Sequence, residues 1–325
     1  MGLTAEQVKQ KGKELGADLV GICSAQTLNE NPPDPKFPQI PANISSEIKS
    51  VVAIIKRIPV GAFRARNMAC VHHIDQLVLR EHDKIAYRIA RYLEQEGYYA
   101  FQTAAQETSW EMKRGSYGYL STRHVAIEAG LGTLGLELNL MTHEFGPRCY
   151  TTCILTTAEL APDPKMTEQV CIGETCSRCL HSCPASAVLH WGIDKRACAT
   201  VAQEYGVAAL FKVFERVIAA ETGEDRMKAV RNLKWFGIWQ GLLRVVGAFG
   251  DCPRCLAVCP VGEDYHYLSE CQREIPEKTP EKLSAGKAMA KARKAGEEIV
   301  GLSGHRIRWI GEEGYKPPKL RKAGR

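Results

Sequence analysis

Two cysteine motifs in the second half of the chain constrain its fold more strongly than any other feature. Cys171 opens the first, C-x4-C-x2-C-x3-C-P, and Cys252 opens the second, C-x2-C-x3-C-P. Cys198 stands alone between them, so this stretch contains eight of the 13 cysteines. Thiolates at two-residue spacings can surround one iron–sulfur cube, while the cysteine before proline reaches a second cube. The spacing therefore predicts two [4Fe–4S] clusters.

The pattern of the bacterial two-cluster ferredoxins, in which the chain crosses between cubes, assigns the ligands. Cluster one is predicted to take Cys171, Cys176, Cys179 and Cys259, and cluster two Cys183, Cys198, Cys252 and Cys255. Structural zinc is the alternative, because C-x2-C pairs also bind that metal. The repeated C-x2-C-x3-C-P ending favours iron–sulfur clusters. The x4 spacing after Cys171 departs from the x2 of a standard ferredoxin, and a bulge at Gly173 can absorb it.

The remaining composition is typical of an ordinary globular protein in a reducing compartment. The first residues, MGLTAEQVKQ, lack the basic start and apolar core of a secretory leader. Charged side chains interrupt the most apolar stretches, residues 206–220 and 235–250, so no membrane span is predicted. Clustered cysteines in such a chain more often bind metal than form disulfides. We therefore expect a cytoplasmic protein.

The positive charge of the chain is confined to its end. Residues 276–325 contain 13 Lys and Arg against 6 Asp and Glu, a net charge of +7, whereas the whole chain carries +6. Such a tail can contact nucleic acid or another acidic partner. A solvated helix with a frayed end explains the same composition.

The hydrophobic pattern divides the chain into three parts. Strands are predicted at residues 17–23, 50–58, 98–103 and 150–157, and helices at 4–16, 75–96 and 122–129, with a proline-rich loop at 29–41. After Pro162 the chain changes to short helices and cysteine loops. We predict an α/β (α+β) domain over residues 1–165, a ferredoxin-like domain with two clusters over 166–275, and a basic tail over 276–325.

Two segments ahead of the cysteines carry a resemblance to a known family. Residues 123–136 read RHVAIEAGLGTLGL and residues 139–149 read NLMTHEFGPRC. With the cysteine motifs behind them, they resemble the cobalamin-dependent iron–sulfur reductases, which comprise corrinoid reductive dehalogenases and epoxyqueuosine reductases. The resemblance covers roughly residues 10–265. It implies a base-off cobalamin in the first domain, fed by the two clusters in the second.

The glycine-rich turn is formally a G-x-G-x-x-G motif. A dinucleotide fingerprint follows a strand and opens a helix, whereas here a helical segment precedes the turn. The resemblance instead implies that this backbone passes close to a corrin ring, as glycine permits. The residues predicted to bind the corrinoid are Gly130, Leu131, Gly132, Gly135 and Asn139.

The proton donor is expected just before the same turn. In reductive dehalogenases the resemblance implies a tyrosine aided by a cation, here Tyr119 or Tyr117 with Arg123 or Arg148. Epoxyqueuosine reductases use an aspartate, but residues 115–124 contain no acid, and Leu136 replaces their lysine. The alternative is that both tyrosines only pack.

Together these features predict a cytosolic reductive dehalogenase-like enzyme. It would pass electrons from an external ferredoxin or flavodoxin through two [4Fe–4S] clusters to cobalamin and cleave a bond in a small molecule, with organohalides as candidate substrates. A second hypothesis is an epoxyqueuosine reductase-like enzyme acting on tRNA, for which the basic tail is the support. A third is a non-enzymatic electron carrier or an activator of another corrinoid protein.

Overall fold

The structure is a computed structural model that describes five main stretches of the chain. They are residues 2–65, 68–104, 118–231, 233–244 and 252–269, with the short pieces 284, 287–288, 291–292, 294–297 and 319–320 beyond them. In these described residues no helix is both long and apolar enough to cross a membrane.

Helices and strands alternate along the first half of the chain, and mostly short elements follow in the second half. The strands are β1 Leu19–Ser24, β2 Ser50–Arg57, β3 Ala100–Gln102, β4 Thr133–Leu134, β5 Leu140–Met141, β6 Cys149–Thr156, β7 Glu168–Gln169, β8 Val188–Leu189, β9 Gly192–Ile193 and β10 Lys319–Leu320. The helices are α1 Ala5–Glu14, α2 Ala25–Glu30, α3 Met68–Gln95, α4 Thr122–Glu128, α5 Arg178–Ser182, α6 Lys195–Ala202, α7 Val207–Ala219, α8 Gly223–Val230, α9 Leu233–Arg244, α10 Arg254–Ala257 and α11 His266–Ser269.

A four-stranded sheet with the order β1-β2-β6-β3 forms the centre of the first half. Its neighbouring strands are antiparallel, with Ile22 opposite Val52 and Val52 opposite Ile154. Successive side chains of a strand point to opposite faces. On β2, Val52 and Ile54 therefore pack under α1 and α3, whereas Val51, Ala53 and Ile55 pack under α2 and α4. The predicted mixed α and β character is confirmed.

Local sequence signals account for most of these elements. Thr4 caps α1 in a capping box with Gln7, three residues later in the sequence. Gly97, with a φ of +90°, follows the end of α3, where its left-handed backbone allows the chain to turn. The prediction of a loop from residue 29 overlooked α2, whose first turn is capped by the Ser24 side chain accepting from the Gln26 amide.

The second half is built from short elements around the cysteines. A buried cluster there joins Cys171, Cys179 and Cys259 with Trp191, and it also includes Leu136 and Met141 from the β4–β5 hairpin. The hairpin thus connects the sheet to the cysteine region. Helices α7 to α9 lie in the segment between Cys198 and Cys252.

His82 on α3 gives the fold a measurable pH dependence. Its side chain is fully buried, and burial lowers its pKa from the ordinary 6.5 to about 4. Between these values the unfolded chain binds a proton that the folded chain does not, so stability decreases as the pH falls. In the wild-type protein this would lower the free energy of unfolding by up to about 3 kcal/mol between pH 6.5 and 4. We predict that His82→Leu does not show this decrease. Urea unfolding of the wild-type protein and of His82→Leu across this pH range measures the difference. The prediction is wrong if the free energies of unfolding of the two proteins change in parallel with pH.

Candidate active site and cysteine clusters

A cleft, called the main cleft below, lies between the sheet-bearing half and the cysteine-rich half of the chain. It has a volume of about 430 Å³. One wall carries Tyr119 and Arg123, which precede and begin α4, and the other carries Lys195 from α6. The cleft is further lined by Cys198, Cys252 and Cys255. It therefore brings the predicted tyrosine to the same cavity as three of the four cysteines predicted for cluster two.

Arg123 holds the loop that forms the floor of this cleft. Its Nη1 donates to the carbonyl oxygen of Leu138, whose φ of +64° lies in the left-handed region. Such a conformation is uncommon for leucine and persists only where contacts enforce it. The loop also presents Asn139, whose Nδ2 lies 3.9 Å from Cys255 Sγ. Arg123 thus fixes the backbone next to a predicted cluster ligand.

The glycines of the predicted corrinoid-binding turn are required by packing within the protein. A Cβ on Gly130, which has a φ of +70°, would lie 2.3 Å from the Pro164 carbonyl oxygen. A Cβ on Gly132 would lie 2.2 Å from the Met141 carbonyl oxygen. Of the five predicted corrinoid-binding residues, only Asn139 lines the cleft in the described part of the chain; Gly130, Leu131, Gly132 and Gly135 do not.

All four cysteines predicted for cluster one line a single small cavity. Its lining includes Cys171, Cys176, Cys179 and Cys259. Burial raises the pKa of Cys179, with further increases from Glu137 and from nearby thiols, among them Cys171 and Cys259. The amide of Gly173 also lies 3.4 Å from Cys171 Sγ, and backbone donors to sulfur are a feature that tunes iron–sulfur clusters.

The cysteines predicted for cluster two also lie near one another. Burial raises the pKa of Cys198 to about 11, with contributions from Cys183 and Cys252. Cys183 also contributes to the raised pKa of Cys252 and of Cys255, although it does not line the main cleft. The amide of Ala187 donates to Cys183 Sγ at 3.2 Å. The fold thus brings together cysteines more than 50 positions apart in the sequence.

Neither set of cysteines is arranged around a single metal ion. In the described stretches no three His, Cys, Asp or Glu side chains converge closely enough to hold one. A zinc site requires such convergence at about 2.3 Å per sulfur. A cubane distributes its four thiolates over separate irons and leaves the sulfurs further apart. Each predicted set supplies four thiols, which is the number of ligands that one [4Fe–4S] cluster takes.

Arg148 contacts the backbone of the second cysteine motif. It is fully buried, and its Nε is 2.9 Å from Asp264 Oδ1. Its guanidinium also donates to the carbonyl oxygens of Leu256, Cys259 and Val261 at 3.1, 2.9 and 2.6 Å. It does not line the cleft that contains Tyr119. Of the two arginines considered from the sequence, Arg123 lines the cleft, whereas Arg148 holds the second cysteine loop.

Glu137 is a site residue that the sequence reasoning missed. It is buried and lines both the main cleft and the small cavity of cluster one. Burial raises its pKa to about 7, although hydrogen bonds from its own backbone and from Cys179 act in the opposite direction. The sequence signal for a buried acid at this position is a carboxylate placed between two leucines, Leu136 and Leu138. Tyr117, the other predicted proton donor, lies outside the described residues.

The sequence is similar to two groups of known reductases. The chain is 34% identical over 110 residues to a tetrachloroethene reductive dehalogenase of Dehalobacter restrictus, covering 33% of this chain and 17% of the relative. It is 34% identical over 82 residues to an epoxyqueuosine reductase of Bacillus cereus, covering 25% of this chain and 21% of the relative. The chain is related to both groups of reductases. The predicted resemblance is therefore confirmed, and both groups are oxidoreductases.

The solved structures extend the likeness to the fold. A catabolic reductive dehalogenase in complex with 3-bromo-4-hydroxybenzoic acid superimposes with a TM-score of 0.53 at 17% identity, covering 97% of this chain and 44% of that one. No family model matches the sequence. The chain spans about a fifth of the length of the curated relatives that it matches.

Proposed function

We propose that the chain is a corrinoid-dependent iron–sulfur reductase of the dehalogenase type, acting on a small organohalide. The observation that supports this most strongly is the composition of the main cleft. Three cysteines of the predicted cluster two line it together with Tyr119 and Arg123. An electron-transfer centre and a proton donor would then face the same substrate.

The cofactors would be divided between the two halves. Cysteines 171, 176, 179 and 259 would hold one [4Fe–4S] cluster, and cysteines 183, 198, 252 and 255 the other. Cobalamin would bind at the main cleft beside Asn139, between a domain over residues 1–165 and a ferredoxin-like domain over 166–275. When bound, these groups supply single electrons and a reduced cobalt centre for cleaving the substrate bond. An external ferredoxin or flavodoxin would provide the electrons.

The protein itself would contribute a proton and a fixed geometry. Tyr119 is only partly buried and lines the cleft, so its hydroxyl can donate a proton to a bound substrate. Arg123 lines the same cleft and would stabilise the phenolate that remains. Its hydrogen bond to Leu138 keeps the guanidinium in place before substrate arrives.

Tyr119→Phe is the direct test of the donor. We expect a loss of debromination of 3-bromo-4-hydroxybenzoic acid of about 100-fold or more, because general acids contribute about 10²–10⁴ in rate. Affinity for cobalamin should remain unchanged. Tyr87→Phe, at a side chain 56% exposed on α3, is the matched control. Unchanged turnover by Tyr119→Phe would exclude this residue as the donor.

The epoxyqueuosine reductase-like function is the second candidate. The identity to that group equals the identity to the dehalogenases, and the basic tail would suit a tRNA substrate. Parallel assays with a halogenated phenol and with tRNA that carries epoxyqueuosine distinguish the two. A protein that binds clusters but neither cobalamin nor either substrate would instead be an electron carrier or an activator of another corrinoid protein.

A further inference from the structure

A second large cavity is separate from the main cleft. It has a volume of about 540 Å³ and is formed by the end of β2, the turn Val60–Arg64 and Tyr267 on α11. Ligand pockets commonly have volumes of about 300–1,000 Å³. In the described part of the chain its lining shares no residue with that of the cleft. We call it the basic pocket, after Lys56, Arg57 and Arg64 in its lining.

Each cation of the basic pocket is held by a different element. Lys56 Nζ lies 2.7 Å from the Gly16 carbonyl oxygen and 3.2 Å from Asp18 Oδ1. Arg64 Nη1 donates to the carbonyl oxygen of Tyr267 at 2.7 Å. These contacts fix the side chains before any ligand binds, which lowers the entropy lost on binding.

Arg57 is held from two further directions. Its guanidinium carbon lies 6.0 Å from the centroid of the Phe145 ring. Its Nε lies 3.4 Å from Asp264 Oδ2, while the other oxygen of that carboxylate bonds Arg148. The side chain nevertheless remains 37% exposed, so part of it faces the pocket and solvent. The contacts therefore orient Arg57 without enclosing it.

The pocket has an excess of positive charge. Among the described residues, three basic side chains line it against one carboxylate, a net charge of +2. That carboxylate, Asp18, is already engaged, since Oδ1 bonds Lys56 and Oδ2 accepts from the Arg57 amide at 2.7 Å. Asp264, beneath Arg57, is balanced by the buried Arg148. The two carboxylates near the pocket are therefore engaged by more than one donor each, and the excess positive charge is left for a bound anion.

We propose that the basic pocket binds an oxyanion of the phosphate class. The two arginines in its lining, Arg57 and Arg64, offer planar donor forks, which match phosphate oxygens, and Lys56 adds a point charge. A phosphate dianion would balance the charge of +2, and the cavity of about 540 Å³ is large enough to admit a phosphate or a diphosphate. The site is independent of the cleft chemistry, so its existence does not rest on the proposed function.

Titration with inorganic pyrophosphate at about 0.1 M ionic strength, where surface attraction is screened, tests the pocket. The anaerobically reconstituted full chain is used, followed by calorimetry. We expect saturable binding that Arg64→Gln and Arg57→Gln each weaken by about tenfold or more. Arg88→Gln, which removes the same charge from an exposed position on α3, should leave it unchanged. Because Arg57 also contacts Asp264, Arg64→Gln provides the test should Arg57→Gln fail to fold.

A second arm with a short RNA hairpin identifies the source of the phosphate. RNA binding that depends on Arg57 and Arg64, without pyrophosphate binding, would support the pocket as a site for a nucleic-acid phosphate. Pyrophosphate binding alone would support a small-molecule ligand. If neither probe binds saturably, or if Arg88→Gln weakens binding as much as Arg64→Gln does, the pocket is a solvated basic surface and the proposal fails.

Discussion

Replacing Arg148 with methionine is expected to destabilise the fold by about 3–5 kcal/mol and to prevent cluster one from assembling. The substitution leaves Asp264 as a buried charge without its principal partner, which is costly in this range. It also releases the carbonyl oxygens of Leu256, Cys259 and Val261 together. Cys259 is a predicted ligand of cluster one, so its backbone would lose the group that positions it.

Iron content and thermal unfolding of the anaerobically reconstituted protein measure this effect. Arg148→Lys should fail nearly as completely, because an ammonium group cannot replace the planar fork that bridges Asp264 and three carbonyls. The double variant Arg148→Met, Asp264→Leu should recover part of the stability, since neither buried charge remains. A stable Arg148→Met protein with unchanged iron would contradict the role assigned to this arginine.

Replacing Cys198 with alanine is expected to lower the iron content from about eight atoms per chain to about four, because each cubane contains four irons. Cys198 is the lone cysteine between the two motifs, and burial with neighbouring Cys183 and Cys252 raises its pKa. Cys171→Ala should cause the same numerical loss but affect the other cluster. Electron paramagnetic resonance of each reduced variant should therefore show the signal of one remaining cluster. The remaining signal should differ between the two variants, because each has lost a different cluster.

The control for both variants is Cys70→Ser, at an exposed cysteine on α3 outside the two sets. It should retain about eight irons. If Cys198→Ala also keeps its full iron content, Cys198 is no ligand and cluster two needs another donor. Zinc in place of iron in the wild-type protein would restore the alternative considered from the sequence.

The sequence could predict those features whose causes are local. The β-branched run of β2 and the Thr4 cap of α1 are encoded within a few residues. The cysteine spacings indicate two sets of ligands because neighbouring thiolates must reach one cube. The mixed fold and the kinship to both groups of reductases followed from these signals together with the AGLG and FGPR segments.

Features that depend on distant residues could not be predicted in this way. Arg148 and Asp264 are 116 positions apart, so no local pattern links them. The Gly132 position is restricted by the Met141 carbonyl, although the glycine motif alone suggested closeness to a cofactor. Burial of Glu137 between two cavities arises from the hairpin packing into the cysteine region. Such pairings become visible only when the chain is folded.

Cobalamin binding by the reconstituted protein tests the central claim most directly. The full chain with both clusters is incubated with hydroxocobalamin, separated from free corrinoid by gel filtration without oxygen, and analysed for cobalt. We predict about one corrinoid per chain, as expected when a single cofactor occupies the main cleft, and weaker retention by Arg123→Ala, which loosens the loop carrying Asn139. A protein with about eight irons and no retained cobalt would contradict the assignment of the cleft to a corrinoid.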